Sequence, residues 1–174
     1  MTKTFDKLIE TFKDYDVEII FENELHVFQI KNPYWNENIE VYYNKYDEDE
    51  EEYIFFFSFQ HTHFSKYNAD DSIEEIIDDL IEYIKDFLSG KLVAIEFFKK
   101  GKNTFGGGVI YADLDISSKK NLIYSFWGSD IPSKKNLIYN FYENWLFNLW
   151  YKKIDSCSIR NWNGAYNKDI KFDT

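Results

Sequence analysis

Short apolar runs, many of them alternating with polar residues, fill the first part of the chain and predict β-strands. Strands are predicted at 17–21, 25–30, 39–43, 53–60, 91–98 and 107–114. These segments are rich in Ile, Val, Tyr and Phe, which favour a half-buried pleated surface. Short polar turns separate neighbouring runs, so the pattern predicts a sheet built from antiparallel hairpins.

Helical spacing of apolar residues appears in three further segments. A short amphipathic helix is predicted over 4–14 and a longer one over 73–89. Ser72 and Glu75 have the spacing of a capping box at the start of the longer helix. A third helix is predicted over 133–152, so two or three helices are expected to pack against the sheet.

A short sequence is repeated in tandem near the middle of the second half. Residues 115–126 recur, with changes, at 130–141. Two copies are too few for a solenoid, which needs about three, so a local duplication is the simpler interpretation.

A last strand is expected near Cys157 and Ile159, followed by a loose end. Because no Pro-, Gly- or Ser-rich linker divides the chain, we predict a single α+β domain over 1–174.

Charge excludes several classes of partner. The 174 residues carry 31 acids and 20 Lys or Arg, for a formal net charge of −11. Arg160 is the only arginine, although arginine is the usual residue for reading phosphates and bases. We therefore expect no direct binding to nucleic acid or to an anionic membrane, and a basic protein as the partner.

The sequence contains few features that indicate a cellular compartment or a cofactor. Cys157 is the only cysteine, so an intrachain disulfide is impossible and a buried, inert thiol is expected. The first residues lack an apolar signal region, and no stretch reaches the roughly 20 apolar residues of a membrane span, so we expect a cytoplasmic protein. Gly106–Gly108 precedes a strand rather than a helix, which indicates a bulge instead of a nucleotide loop. No cofactor is expected.

The most unusual segment is a run of six acids, Asp47–Glu52, between two predicted strands. One interpretation is a solvated hairpin tip that prevents edge-to-edge aggregation of a very aromatic sheet. The other is an electrostatic docking element for a basic protein, formed by Asp47, Glu48, Asp49, Glu50, Glu51 and Glu52. A calcium loop is disfavoured because the run lacks the spaced ligands and the central Gly of such loops.

Two further groups are candidates for a protein interface. The polar face of the helix at 73–89 is acidic and includes Asp78, Asp79 and Glu82. Trp150 and Trp162 are candidate aromatic anchors inside a charged rim.

His61 and His63 are the weak candidates for a metal site. Strand alternation places both imidazoles on one face, where they can hold a transition metal. A catalytic site needs a third ligand, for which His26, Asp70 and Asp71 are candidates. The alternative is that both histidines end a strand and bond to a neighbouring loop.

The acidity, size, compact α+β pattern and aromatic content resemble those of small acidic bacterial immunity proteins and antitoxins. That resemblance implies a non-enzymatic inhibitor that covers the active site of a basic toxin or nuclease. A phage-encoded DNA mimic that inhibits a CRISPR or restriction nuclease is the first alternative. A metal-dependent enzyme using His61 and His63 is the second, and a carbohydrate-binding module with exposed Trp is a third.

Overall fold

The computed structural model confirms an α+β fold with two antiparallel sheets. It describes residues 3–22, 25–47, 50–65, 72–99, 102–112, 122, 153–165 and 167–172. The chain divides into two compact units. The first unit comprises Met1–Ser89 and Trp162–Gly164, and the second comprises Gly90–Asn161 and Ala165–Thr174. That these units form one domain stays a prediction.

The first unit contains a five-stranded sheet and two helices. Its elements are α1 (Lys3–Thr11), β1 (Val17–Glu22), β2 (Leu25–Ile30), β3 (Ile39–Asp47), β4 (Glu50–Phe57), β5 (Gln60–Ser65) and α2 (Ile73–Leu88). Each strand pairs antiparallel with the next one along the chain, in the order β1-β2-β3-β4-β5. The predicted hairpins therefore join into one continuous meander.

The predicted strand at 53–60 is divided by a tight turn, which the sequence analysis missed. Phe57 pairs with Gln60, and Ser58 and Phe59 form the turn between them. Ser58 has a φ of 56°, a left-handed conformation that is uncommon outside glycine. His61 and His63 consequently lie within β5 and not beyond the end of a strand.

The two faces of this sheet have different neighbours. On the inner face, Phe28, Val41 and Phe55 lie in one row across β2, β3 and β4, and all are fully buried. Phe12 of the segment after α1 contacts Phe28, and Phe87 of α2 contacts Phe55. The opposite face, here called the outer face, presents the alternate residues of the same strands.

The helix α2 follows its predicted pattern. Ser72 accepts a hydrogen bond from the Glu75 backbone N–H at 3.2 Å, and the Glu75 carboxylate accepts from the Ser72 N–H at 2.9 Å. This confirms the capping box. The apolar face is buried against the sheet, with Leu80, Ile84 and Phe87 fully inaccessible.

The second unit contains a four-stranded sheet in the order β7-β6-β8-β9. Its strands are β6 (Leu92–Lys99), β7 (Lys102–Tyr111), β8 (Ser156–Arg160) and β9 (Lys168–Lys171). The strand near Cys157 is confirmed, whereas β9 lies where a loose end was expected. The pairing of β6 with β7 shifts register after Glu96, opposite Gly107, in agreement with a bulge at the glycine run.

The core of the second unit includes the lone cysteine and one residue of the repeat. Val93, Ile95 and Phe97 of β6 pack with Cys157 and Leu122. Cys157 is buried, as predicted. Burial, with a smaller contribution from Asp169, raises the pKa of its thiol to about 12, which disfavours the reactive thiolate. The rest of the repeat at 115–141 and the helix predicted at 133–152 lie outside the described residues.

Candidate functional site

The acidic run is not one uniform hairpin tip. Glu48 and Asp49 lie outside the described residues, and Asp47 pairs with Glu50 at the ends of β3 and β4. The last two acids continue β4, where strand alternation sends their side chains to opposite faces. Glu51 and Glu52 are half-buried. Glu51 and Glu52, the last two acids of the run, therefore lie on opposite faces of the sheet.

Glu51 belongs to a polar cluster at one end of the inner face. The Tyr53 hydroxyl donates to Glu51 Oε2 at 3.1 Å and lies 2.9 Å from Thr4 Oγ1. Because Tyr53 has one hydroxyl proton, Thr4 is the donor in the second bond. Burial first, and then the charge of Glu51, raise the pKa of Tyr43 to about 12. Glu51 therefore has a structural role in the fold.

On the outer face, Glu40 is held by two donors from neighbouring positions. Gln29 Nε2 donates to its Oε1 at 2.8 Å, and the Tyr42 hydroxyl donates to its Oε2 at 2.8 Å. Gln29 and Glu40 are also cross-strand partners in β2 and β3. The carboxylate is half-buried and fixed in orientation, which distinguishes it from a freely rotating surface acid.

Aromatic rings continue this arrangement across β4 and β5. The Tyr42 and Phe56 ring centroids are 4.9 Å apart, and Phe56 stacks on His61 at 5.4 Å. His61 in turn lies 5.1 Å from His63. His63 Nδ1 donates to Glu52 Oε1 at 2.6 Å, because an ionised carboxylate only accepts.

These contacts form one continuous set of residues, which we call the outer-face ladder. Its members are Gln29, Glu40, Tyr42, Phe56, His61, His63 and Glu52. It spans four strands and has a fixed carboxylate towards each end. Aromatic rings lie between the two carboxylates, so the ladder combines the features of an interface anchor and a charged rim.

The two histidines share a face as predicted, but His26, the one described candidate for a third ligand, does not join them. His26 lies on the inner face, against Phe5, Phe21 and Tyr43. Asp70 and Asp71 lie outside the described residues. Within the described parts of the chain, no group of three or more His, Cys, Asp or Glu is placed to hold a metal ion. His61 and His63 instead contact Phe56 and Glu52.

The acids of α2 lie on the other side of the sheet from the ladder. Asp78, Asp79 and Glu82 are exposed. Lys7 Nζ lies 2.6 Å from Asp78, and Lys85 Nζ lies 2.7 Å from Glu82. Exposed ion pairs of this kind contribute little to stability. The face is that of an ordinary amphipathic helix, and the sheet separates it from the ladder.

Trp162 is not an exposed anchor, contrary to the sequence-based expectation. Its side chain is 3 % exposed, and its ring lies 6.3 Å from that of Phe57. Its carbonyl oxygen accepts bonds of 2.9 Å from both Asn32 Nδ2 and Trp35 Nε1. Trp162 therefore fastens a late segment of the chain to the first unit. Trp150 lies outside the described residues.

A cleft of about 480 Å³ lies at one end of the sheet, next to Glu40. The loop between β2 and β3 and the turn between β4 and β5 form its walls. It is lined by Asn36, Glu37, Asn38, Glu40, Phe56, Phe57, Ser58 and Phe59. The Oε2 atom of Glu37 is removed from solvent and has no hydrogen-bond partner among the residues that the structure describes. Glu40 and Phe56 belong to both the cleft and the ladder.

Sequence reasoning missed the ladder and the cleft because both depend on strand register. Glu40 was inside a predicted strand, but its partner Gln29 is fixed only by the pairing of β2 with β3. The available signal was the polar residue at alternate positions of otherwise apolar strands, as at Gln29 and Glu40. Such residues mark the exposed face of a sheet.

Comparison with known proteins gives no relative: no protein-family model, curated protein sequence or solved structure matches the chain. Neither described helix combines the length and the apolar character that crossing a membrane requires. The outer-face ladder, the cleft and the acidic surfaces are the described features of the molecule that bear on its function.

Proposed function

We propose that the protein is a non-enzymatic inhibitor that binds a basic protein through the outer-face ladder. Its class is that of an immunity protein or antitoxin that acts in the cytoplasm on a basic toxin. The observation that supports this most is the fixed pair of carboxylates, Glu40 and Glu52, which flank an aromatic row. A basic partner gains two pre-oriented acceptors and an aromatic contact surface from one face.

Pre-orientation favours binding for a physical reason. A side chain that is already held in one rotamer loses less entropy when a partner engages it, and that loss is typically about 0.5–1.5 kcal/mol for a long side chain. Gln29, Tyr42 and His63 hold the two carboxylates before any partner arrives. Tyr42 and Phe56 are half-buried, so each also has surface left for contact.

Net charge supports a basic partner in addition. At −11, the chain attracts basic proteins over distances comparable to the Debye length, roughly 8 Å at physiological salt. Long-range attraction raises the association rate, while the close contacts of the ladder determine the dissociation rate. Glu52 belongs to the acidic run Asp47–Glu52, whose six charges add to the long-range attraction.

The acidic face of α2 is the competing surface, and it predicts a different result. Since the sheet separates it from the ladder, one compact partner is not expected to contact both.

A pull-down experiment distinguishes the two surfaces. A lysate of the source cells is passed over three immobilised baits: wild type, Glu40→Gln/Glu52→Gln and Asp79→Asn/Glu82→Gln. Both variants remove two charges, so overall charge is matched between them.

We expect wild type and the α2 variant to retain the same basic protein and the ladder variant to lose it. Loss with the α2 variant alone would contradict the proposed surface. The activity of the purified partner then identifies the class. Inhibition of a toxin supports the immunity-type proposal, whereas competition with the DNA of a restriction or CRISPR nuclease would indicate the DNA mimic instead.

A further inference from the structure

We propose that a cationic amphipathic helix of the basic partner lies across the strands of the outer face, on a stripe of apolar side chains. This inference rests on the proposed function and names the part of the partner that makes the contact. Ile20, Val27, Tyr42 and Ile54 are successive cross-strand partners from β1 to β4, and we call them the apolar stripe. The next partner, on β5, is His63.

The apolar stripe lies on a face where polar side chains are the rule. Both described helices pack on the inner face, and the solvated face of an antiparallel sheet is ordinarily polar. Within the stripe Val27 is buried, and the other three side chains are half-buried. The side chains of Glu18 on β1 and His63 on β5 are each 49 % exposed, so solvent reaches this face at both edges. An apolar stripe with a polar rim on such a face is typical of a protein contact.

Carboxylates flank the apolar stripe on both sides. Glu18 and Glu40 belong to the cross-strand row on one side, and Glu52 belongs to the row on the other. Glu18 accepts a bond of 2.7 Å from Lys31 in an exposed ion pair, which a basic side chain of a partner can replace at little cost. Charge complementarity therefore selects an occupant that is apolar along its centre and basic along both flanks.

The spacing of the rows fits one α-helix. Residues two positions apart along a strand are about 7 Å apart, so the two flanking rows are separated by about 13 Å. A helix with its side chains is about 10–12 Å across, and lysine or arginine side chains extend from its apolar side to charges beside it. Five strands at a spacing of about 4.8 Å span about 19 Å, the length of about 13 helical residues.

Backbone hydrogen bonding favours a helix over an extended segment. The central strands β2, β3 and β4 are paired on both sides, so the face of the sheet offers side chains and not backbone groups. An extended segment lying on that face would leave its own N–H and C=O groups without partners from the sheet, whereas a helix satisfies them internally. A second copy of this chain is disfavoured, because it would bring two outer faces with carboxylates, each on a chain of charge −11, into contact.

The test uses synthetic peptides and needs no partner protein. The probe is a peptide of about 14 residues with Leu at every third or fourth position and Lys elsewhere. One control has the same composition in scrambled order, and a second keeps the Leu positions but replaces Lys by Glu. Each peptide is titrated into the full chain while backbone amide shifts are followed by NMR and peptide helicity by circular dichroism.

We expect the amphipathic Leu/Lys peptide to become helical and to shift amides of 18–20, 27, 40–42 and 52–54. The scrambled peptide should bind about tenfold more weakly, and the Leu/Glu peptide should not bind measurably. Equal binding of the amphipathic and scrambled peptides would overturn the proposal, because net charge alone would then explain the affinity. Shifts confined to 73–88 would overturn it as well, since α2 would then be the binding surface.

Two adjacent isoleucines of β1 provide matched variants. Ile19 and Ile20 are both half-buried, and strand alternation places Ile19 on the inner face and Ile20 in the apolar stripe. Threonine keeps the β-branched shape that strands favour and replaces a hydrocarbon group by a hydroxyl. Ile20→Thr should weaken binding of the Leu/Lys peptide about fivefold, and Ile19→Thr should leave it unchanged. Thermal unfolding of both variants shows that the fold is intact, and equal binding by the two would refute the role of the stripe.

The outcomes separate this inference from the proposed function. Peptide binding on the apolar stripe without any basic protein captured from the lysate would support the helix site and refute the inhibitor proposal. Capture of a basic protein equally by wild type and Ile20→Thr, with no peptide bound at the stripe, would refute the helix site and leave the inhibitor proposal in place.

Discussion

The two faces of the five-stranded sheet are made from alternate residues of the same strands, yet they differ in burial and in the kind of contact that their side chains make. The inner face presents Phe28, Val41, Phe55 and Phe57, all fully inaccessible beneath the helices. The outer face presents half-buried carboxylates that accept hydrogen bonds from neighbouring side chains, and aromatic rings that contact one another. One face is organised to exclude water and the other to hold polar groups in fixed positions.

The difference separates the residues that stabilise the fold from those to which the proposed function assigns binding. Burial of large apolar side chains supplies most of the folding free energy, so inner-face residues should dominate unfolding. On the outer face Gln29 is buried, while the other members of the ladder are half-buried or exposed. A hydrogen bond of the kind that joins them contributes a net of only about 0.5–1.5 kcal/mol. The proposed function assigns the fixed carboxylates of the outer face a role in binding and not in folding.

The largest effect on the free energy of unfolding is expected at Phe57 on the inner face, and its neighbour Phe56 on the outer face is the comparison. Phe57 is fully buried, with ring centroids 4.5 Å from Phe87 and 5.6 Å from Trp35. Phe57→Ala should lower the free energy of unfolding by about 3–5 kcal/mol. Phe56→Ala on the outer face should cost about 1 kcal/mol. Urea denaturation monitored by tryptophan fluorescence measures both, and equal costs would contradict the assignment of the faces.

The next largest effect is a loss of stability at alkaline pH, caused by Tyr43 beside Glu51 on the inner face. Burial raises the pKa of Tyr43 from 10.0 to about 12, so the folded state keeps its proton where the unfolded state loses it. Stability should therefore fall as pH rises from about 10 to 12, by at most about 1.4 kcal/mol per pH unit for this group. Tyr43→Phe should make the free energy of unfolding fall less steeply with pH over this range.

Tyr34→Phe is the control for that experiment, because Tyr34 is 66 % exposed. The free energy of unfolding is measured in urea at several pH values between 9 and 12 for all three proteins. An unchanged alkaline slope in Tyr43→Phe would show that Tyr43 is not protected by the inner face.

A smaller effect is expected at the start of α2, the helix that covers the inner face. Ser72→Ala removes the side-chain half of the capping box and should cost about 1 kcal/mol. Ser89→Ala at the other end removes a 2.9 Å bond to the Asp86 carbonyl and should cost less than about 0.5 kcal/mol. Chemical denaturation compares the two, and the opposite order would contradict the capping geometry.

The smallest effect is expected at the turn beside the cleft. Ser58 has a φ of 56°, which costs a residue with a Cβ roughly 1–2 kcal/mol. Ser58→Gly relieves that strain but adds entropy to the unfolded chain, so a net stabilisation of less than about 1 kcal/mol is expected. A loss of stability would mean that the Ser58 side chain makes a contact that matters more than the strain.

Local signals in the sequence predicted much of the fold. The boundaries of α2 followed from the Ser72–Glu75 spacing and the apolar period, both of which act within a few residues. The turn at Ser58 was missed because Ser58-Phe59 lacks the Asn-Gly or Gly-first pattern of two-residue hairpins. β9 was missed because Lys168–Lys171 is short and mostly exposed, with little apolar alternation.

The candidate site was less predictable for a different reason. The acidic run stood out in the sequence, but strand alternation divides Glu51 from Glu52 and gives each an internal partner. Gln29, Glu40, Phe56 and His61 come together only through the register of four strands. Long-range register is a property of the whole sheet, which composition and local spacing do not determine.

The most direct test compares the affinity of the captured basic protein for two charge-matched variants. Glu40→Gln/Glu52→Gln removes the carboxylates of the outer-face ladder, and Asp79→Asn/Glu82→Gln removes two from α2. The prediction is that the ladder variant loses at least tenfold in affinity, mainly through faster dissociation, while its free energy of unfolding stays within about 1 kcal/mol of wild type. The α2 variant should bind within about twofold of wild type. Equal losses in both variants, or a loss in the α2 variant alone, would contradict the role of the outer face.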